Sequence, residues 1–333
     1  MTEIEFRTAI RDALAEEMER DDRVFLIGED IAAAGGVFKA TPGLFERFGA
    51  DRVIDSPISE LALSGAAFGA AITGTRPVLE IMFGDFMALA MDSLINQAAK
   101  YWYISNEQGP VPLVVRCAVG AGGRFGAMHS QNPATWLMSV PGLKVVCPST
   151  PADAKQMLKA AIRDDNPVVF LEHKRLYSTK GPEPTGEVEP LGRATVSREG
   201  GDITLVSIMR GVHDCLAAAT ELQTHGVEAE VVDLRSLRPL DVDTVLRSVA
   251  KTNRLLCVEE GPLSGGWAAG LVGHVAHQGL GELDDVAALG TGEYPVPYTP
   301  TLEDPYLPSV GRIVATVRER LGSSGPAPSL ASL

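Results

Sequence analysis

The 333-residue sequence is short of the signatures that mark most phosphate- and metal-handling proteins. It has no GxxxxGK(S/T) loop, no GxSxG elbow, and no GxGxxG after a strand with an acidic residue at the right distance. These absences exclude a P-loop, an α/β-hydrolase nucleophile and a dinucleotide fingerprint. Gly84-Asp85 is not followed by glycine, so a GDG segment leading to a distant Asn, the kind that holds magnesium diphosphate, is also missing. Only four cysteines occur, Cys117, Cys147, Cys215 and Cys257, with no CxxC pair and no zinc spacing. Cys117, Cys147 and Cys257 lie in or beside apolar runs, which predicts buried inert thiols and a reducing, cytoplasmic setting. Basic residues are outnumbered, 29 to 43, for a formal charge of -14, which disfavours nucleic acid and anionic lipid as partners. No apolar run is long enough to span a bilayer, and the N-terminus does not read as a secretory leader.

Apolar residues at 45% and charged residues at 22% are those of a chain with real cores, and the length suits two domains. A helix is expected over Thr2 to Arg20, with Thr2 and Glu5 as a capping box. Strands follow at Val24–Gly28, Val53–Asp55, Pro77–Met82, Leu113–Cys117, Lys144–Cys147 and Val168–Leu171, with helices near Glu60–Thr73, Phe86–Ser105 and Pro151–Arg163. Thr150 before Pro151 is a strong helix start. The alternation predicts an α/β fold of two domains, each a mostly parallel sheet covered by helices. The first domain is placed at 1–180 and a polar, Pro- and Gly-rich linker at 181–192. The second is placed at 193–322, with strands Ile203–Ile208, Ala229–Val232 and Arg254–Val258 and helices Val212–His225, Val242–Ala250 and Trp267–His277. A Ser-, Pro- and Ala-rich tail, 323–333, is expected to be mobile.

Four stretches can carry chemistry. In Asp55-Ser56-Pro57-Ile58-Ser59-Glu60 a strand ends and a helix begins, placing Glu60 at a helix N-terminus, where dipole complementarity alone is worth roughly 0.3–1 kcal/mol. In Phe83-Gly84-Asp85-Phe86 an aromatic follows a strand end and either lines a ligand crevice or serves the core. Gly120 to Gln131 is a glycine-dense loop ending near His129. Such a loop exists because something approaches its backbone or because it moves, and His129 suits proton transfer near neutral pH. Arg124 within it meets a substrate carboxylate or solvent. The helix end Ala161 to Pro167 is either a plain C-terminus and turn or an oxygen cage for a cation.

These stretches, in this order, resemble the beta subunits of the pyruvate, branched-chain and acetoin type of 2-oxo acid dehydrogenase. The resemblance runs from about Ile4 to Leu321. Gly126-Ala127-Met128-His129-Ser130-Gln131, Pro141 to Val146 and Glu172-His173-Lys174-Arg175-Leu176-Tyr177 add to Asp55–Glu60. Asp233 to Leu240 and Val258-Glu259-Glu260-Gly261 resemble the transketolase C-terminal domain. The resemblance implies the pyrimidine-facing half of a thiamine diphosphate site. Glu60 is then the cofactor-activating carboxylate, Ile58 and Phe86 the residues against the pyrimidine, and His129 an acid/base or positioning group in acyl transfer to a lipoyl arm. It also implies an alpha subunit that holds the diphosphate and magnesium, a heterotetramer of two alpha and two beta chains, and a lipoyl-bearing dihydrolipoyl acyltransferase core. Leu113, Ala161, Ile162, Asp164 and Asn166 resemble a structural potassium site. Two alternatives stand beside it: half of a split transketolase-like synthase with an aldehyde acceptor, and a non-catalytic docking subunit of a multienzyme complex.

Overall fold

The computed structural model describes residues 3–184, 186–279, 281 and 283–322; Thr2 of the expected capping box and the 323–333 tail lie outside them. The first domain is built on a seven-stranded sheet. Its spatial order is Ser236–Arg238, Lys144–Val146, Val168–His173, Val114–Val119, Arg76–Ile81, Val24–Gly28 and Val53–Asp55. Every pairing is parallel except the first, so the strand contributed by the second domain runs antiparallel to Lys144–Val146. Parallel strands buried on both faces require near-continuous apolar runs, which is why Val114–Val119 and Val168–His173 are buried at every position. The second domain carries a five-stranded sheet ordered Asp285–Leu289, Arg254–Val258, Ile203–Ser207, Ala229–Asp233 and Thr195–Arg198, the last antiparallel. One apolar core continues from the first domain into the second through Val206, Val232 and Leu255.

Several local expectations meet the structure closely. Thr150 caps the Pro151–Arg163 helix by accepting from the Asp153 amide at 3.1 Å. All four cysteines are buried and unpaired, and burial pushes the Cys117 thiol up, which keeps it protonated and inert. Others need correction. Glu3–Glu5 is a strand, not the first turn of a helix, and it pairs antiparallel with Lys180–Pro182; the helix starts at Phe6, and Glu5 makes no side-chain cap. Two residues of the polar 181–192 stretch therefore belong to a ladder, because backbone pairing needs no apolar face. The single helix expected over Phe86–Ser105 is divided. A 3-10 turn, Gly84–Phe86, leads to α-helix Met87–Met91, a π-helical segment Asp92–Ala98, and α-helix Ala99–Ile104. The Asp92 carboxylate accepts from Asn96 at 2.8 Å and from Gln97 at 3.0 Å, bridging partners four and five residues on, a pattern that favours the wider coil.

The centre of the sheet is held by charge. Arg116 is 2% exposed and reaches Glu80 on one neighbouring strand at 2.6 Å and Glu172 on the other at 2.7 and 2.8 Å. Tyr177 donates to Glu172 at 2.8 Å. Burial alone would lower the guanidinium pKa, but the two carboxylates raise it above its ordinary value, so Arg116 stays charged. Removing one partner of a buried ion pair strands the others without compensation and costs about 3–5 kcal/mol. Arg116→Met is therefore expected to lower unfolding stability by roughly that amount in denaturant titration; a loss within about 1 kcal/mol, the range of exposed pairs, would contradict the assignment.

Candidate active site

Ile58, Glu60, Phe86 and His129 lie at the C-terminal edge of the seven-stranded sheet, where ligands of open α/β sheets sit, whereas Leu113, Ala161, Ile162, Asp164 and Asn166 precede the strands Val114–Val119 and Val168–His173, at the opposite edge. Each residue at the C-terminal edge follows its strand directly. Glu29 follows Val24–Gly28, and Ile58 and Glu60 follow Val53–Asp55. Phe83 and Phe86 follow Arg76–Ile81, the glycine loop with His129 follows Val114–Val119, and Lys174 follows Val168–His173.

Glu60 is the first residue of the Glu60–Ile72 helix and is 5% exposed. Among the described residues no side-chain or backbone donor bonds its carboxylate, and no cation pairs with it. Its neighbour Glu29 is also buried and accepts from the Ser59 amide at 3.1 Å, which fixes the turn that delivers Glu60. Burial first, and then the charges of Glu60 and Asp30, push the Glu29 carboxyl above its ordinary value despite that bond. Two buried acids side by side, one of them without a donor among the described residues, suit a ligand that brings its own hydrogen-bonding nitrogen. Ile58, two residues before Glu60, is 81% exposed.

Phe86 and His129, on different loops, are brought together. Their rings are 5.4 Å apart and edge-on, and Phe83 stands 4.7 Å from the same imidazole. His129 is held from behind through its backbone: Lys174 donates its ammonium hydrogen to the His129 carbonyl. That ammonium lies 5.2 Å from the centre of the Phe83 ring and 5.0 Å from that of Phe125. Burial brings it down to about 8, against the opposing pull of Asp85, Glu260 and Glu303.

The glycine loop is explained by approach. A Cβ at Gly120 would strike the His173 imidazole, and one at Gly122 would come within 2.7 Å of Arg175 Cδ. Both glycines also have positive φ. The second domain then grips this loop. Ala121 N–H donates to Glu260 at 2.6 Å, Gly122 N–H donates to Glu303 at 2.7 Å, and His173 Nε2 lies 2.9 Å from Glu260. Burial pushes the Glu260 carboxyl up, but the imidazole, the amide and Lys174 together hold it below its ordinary value. Arg124, whose side chain is 35% exposed, forks between Glu303 and Asp304 of the second domain, at 2.6 Å each.

The Ala161–Pro167 turn is already rich in cations. Arg76 donates to the carbonyls of Ile162, Arg163 and Asp164 at 2.8–2.9 Å, and Lys144 pairs with the Asp164 carboxylate. Although Asp164 is partly buried, Lys144 and Asn166 keep its carboxyl below its ordinary value. The Leu113 and Ala161 carbonyls each accept one backbone bond, from Val168 and Asp164, and keep a lone pair. Among the described residues no cluster of three His, Cys, Asp or Glu has metal-binding geometry. The oxygens this turn leaves open are main-chain ones, beside the Arg76 guanidinium and the Lys144 ammonium.

Glu29, Lys174, Glu260 and Glu303 were not singled out by the sequence. Glu29 had a readable signal, an acid directly after an apolar strand. The others acquire meaning only from partners far along the chain.

Residues 2–180 match the transketolase pyrimidine binding domain and residues 192–313 the transketolase C-terminal domain. The acetoin:2,6-dichlorophenolindophenol oxidoreductase subunit beta of Cupriavidus necator is 44% identical over 330 residues, covering 96% of this chain and 97% of the relative. The 2-oxoisovalerate dehydrogenase subunit beta of Bacillus subtilis is 42% identical, covering 96% and 99%. The pyruvate dehydrogenase E1 component subunit beta of Rhizobium meliloti is 44% identical, covering 96% and 70%. A solved structure described as a split gene transketolase, inactive beta4 tetramer, superimposes with a TM-score of 0.78 at 24% identity, covering 96% and 98%, and shares the fold.

Lys174 gives the site a pH signature. Its folded value, about 8, lies below its ordinary 10.5, so between those pH values the unfolded chain holds a proton that the folded one has released. The stability of the native protein relative to Lys174→Met should therefore rise from pH 8 toward pH 10.5, read by denaturant unfolding at several pH values. Parallel curves for the two proteins would show that the amine is not confined as described.

Proposed function

This chain belongs to the transketolase-like family of dehydrogenase E1 beta subunits, and from that membership we propose that it forms the pyrimidine-facing half of a thiamine diphosphate site acting on a 2-oxo acid or acetoin. The family depends on thiamine diphosphate, and its beta subunits work in alpha–beta heterotetramers within multienzyme complexes. The observation that carries the reading is Glu60: a buried carboxylate at a strand-to-helix turn, paired with no donor among the described residues, in a chain with no phosphate loop of its own.

When bound, the cofactor supplies the electron sink for cleavage next to the substrate carbonyl. The protein's part is to bind, orient and move protons. Glu60 would hydrogen-bond the aminopyrimidine nitrogen, beside a Glu29 carboxyl that burial pushes above its ordinary value. Ile58 and Phe86 would bracket the pyrimidine. His129, oriented by Phe83, Phe86 and Lys174, would carry the proton that accompanies acyl transfer to a lipoyl disulfide on an acyltransferase core. Magnesium and the diphosphate would rest on the alpha subunit. Potassium would take the carbonyls of Leu113, Ala161 and Ile162 with Asp164 and Asn166, as a structural ion.

Exposed apolar side chains support the partnership. Ile58 and Leu61 flank Glu60 and are exposed, and Leu89, Trp102, Tyr103 and Ile104, on the helical run from Met87 to Ile104, expose further apolar surface that a second chain would cover. No helix among the described residues is long and apolar enough to cross a membrane, and four free buried thiols suit a cytoplasmic enzyme.

Glu60→Gln, co-purified with its alpha subunit, is expected to lose at least roughly 10³-fold in turnover while its unfolding transition stays in place, since a preorganised proton-handling group is worth about 10²–10⁴. Turnover within about tenfold of the parent would remove Glu60 from the chemistry. Transfer to an aldehyde rather than a lipoyl domain would move the chain to the split-synthase reading.

A further inference from the structure

The second domain holds the loop that carries His129 through a continuous set of contacts, beginning at Arg124. Glu303 is 0% exposed, on the Pro300–Tyr306 helix, and its carboxylate is satisfied by the loop through the Gly122 amide and the Arg124 guanidinium. Arg124 adopts a φ of +64, a region that glycine takes freely and a long side chain does not, in a loop where glycine is otherwise abundant. A bulky cation held there despite the backbone strain argues for a role of its side chain, and the fork onto Glu303 and Asp304 is the contact it makes.

The next residue, Phe125, folds back over Gly123, where a Cβ would lie 2.6 Å from its ring. Its ring packs against Phe83 at 6.0 Å and covers the Lys174 ammonium at 5.0 Å. Lys174 in turn donates to the His129 carbonyl, and Phe83 touches the His129 ring. Arg124, Phe125, Lys174 and His129 thus form one chain of contact, anchored in a different domain from the one that holds Glu60.

We propose that Arg124 and Glu303 are positioning residues: an interdomain clamp that sets the His129 loop for acyl transfer, separately from the Glu60 recess where the cofactor is activated. This rests on the proposed role of His129 and deepens it. Asp304 is the exposed second arm, and Glu260, which holds Ala121 and faces His173, fixes the loop one turn earlier.

The test uses the assembled alpha–beta protein with two acceptors, a lipoyl domain and the dye 2,6-dichlorophenolindophenol. Arg124→Ala should lower the ratio of lipoyl-transfer to dye-linked kcat by roughly tenfold or more, since misplacing a group by about 1 Å can cost 10²-fold. Arg124→Lys, which keeps one charge contact but not the fork, should restore part of the ratio. Arg124→Ala with Glu303→Gln removes the stranded buried charge without rebuilding the clamp, so its ratio should stay low. Arg254→Ala, which breaks the remote pair with Asp284, should leave the ratio at the parent's value. An unchanged ratio in Arg124→Ala, or full recovery in the double variant, overturns the clamp. A parent complex inactive with both acceptors overturns the reading of the site beneath it, and the clamp with it.

Discussion

Arg116, buried between Glu80 and Glu172, ties together the three central strands of the first domain, and the position of everything at their C-terminal ends follows from it. Glu80 and Arg116 are direct register partners, whereas Glu172 lies two residues beyond the partner of Arg116 on the third strand. A slip of one residue on either side would turn a carboxylate to the opposite face and leave a buried guanidinium unpaired. The register is therefore set by charge in a sheet whose Val- and Leu-rich strands would otherwise pair in several alignments. With the strands level, Phe83, Gly120 and His173 emerge side by side, and the loops that start there converge.

The two halves of the site are supported differently. Glu60 and Glu29 stand on elements of the first domain alone, and among the described residues the Ser59 amide is the one donor to either carboxylate. The His129 side depends on the second domain: Glu260 and Glu303 accept loop amides, and Glu259 accepts the Trp267 and Ala268 amides at the start of the Trp267–Gly279 helix. Glu259 also lies 3.3 Å from Thr135 of the first domain. Two adjacent acids, Glu259 and Glu260, thus serve opposite sides of the interdomain contact. Burial raises the first, while imidazole and amide contacts lower the second.

Much of this was legible in the sequence, for local reasons. The Pro151–Arg163 helix was readable because its cap, its N1 proline and its apolar stripe agree. Glu60 was readable because a strand end, a turn and a helix start fall within six residues. The Phe86–Ser105 segment misled because helical periodicity does not register an extra residue in a turn, and the Asp92 contacts that accompany it are visible only in three dimensions. The sequence left Arg124 open for a related reason. Its partners are about 180 residues away, and a loop cation next to an active site invites a substrate when a neighbouring domain is the simpler counterpart. Glycine density was read as a sign of close approach or of movement; the structure shows close approach at Gly120 and Gly122, by His173 and Arg175, which were not identifiable from spacing.

The Ser236–Arg238 strand gives the architecture a further consequence. It leaves its own domain to finish the sheet of the other, with Cys147 N–H donating to the Arg235 carbonyl at 2.8 Å and the Ser236 hydroxyl to the Val145 carbonyl at 3.1 Å. A fragment ending at the polar connecting stretch would expose Lys144–Val146 as a bare ladder, open to any extended chain that met it. The halves are thus poor candidates for separate expression or for shuffling between relatives. Evolution could exchange one only along with the three-residue graft that the other requires.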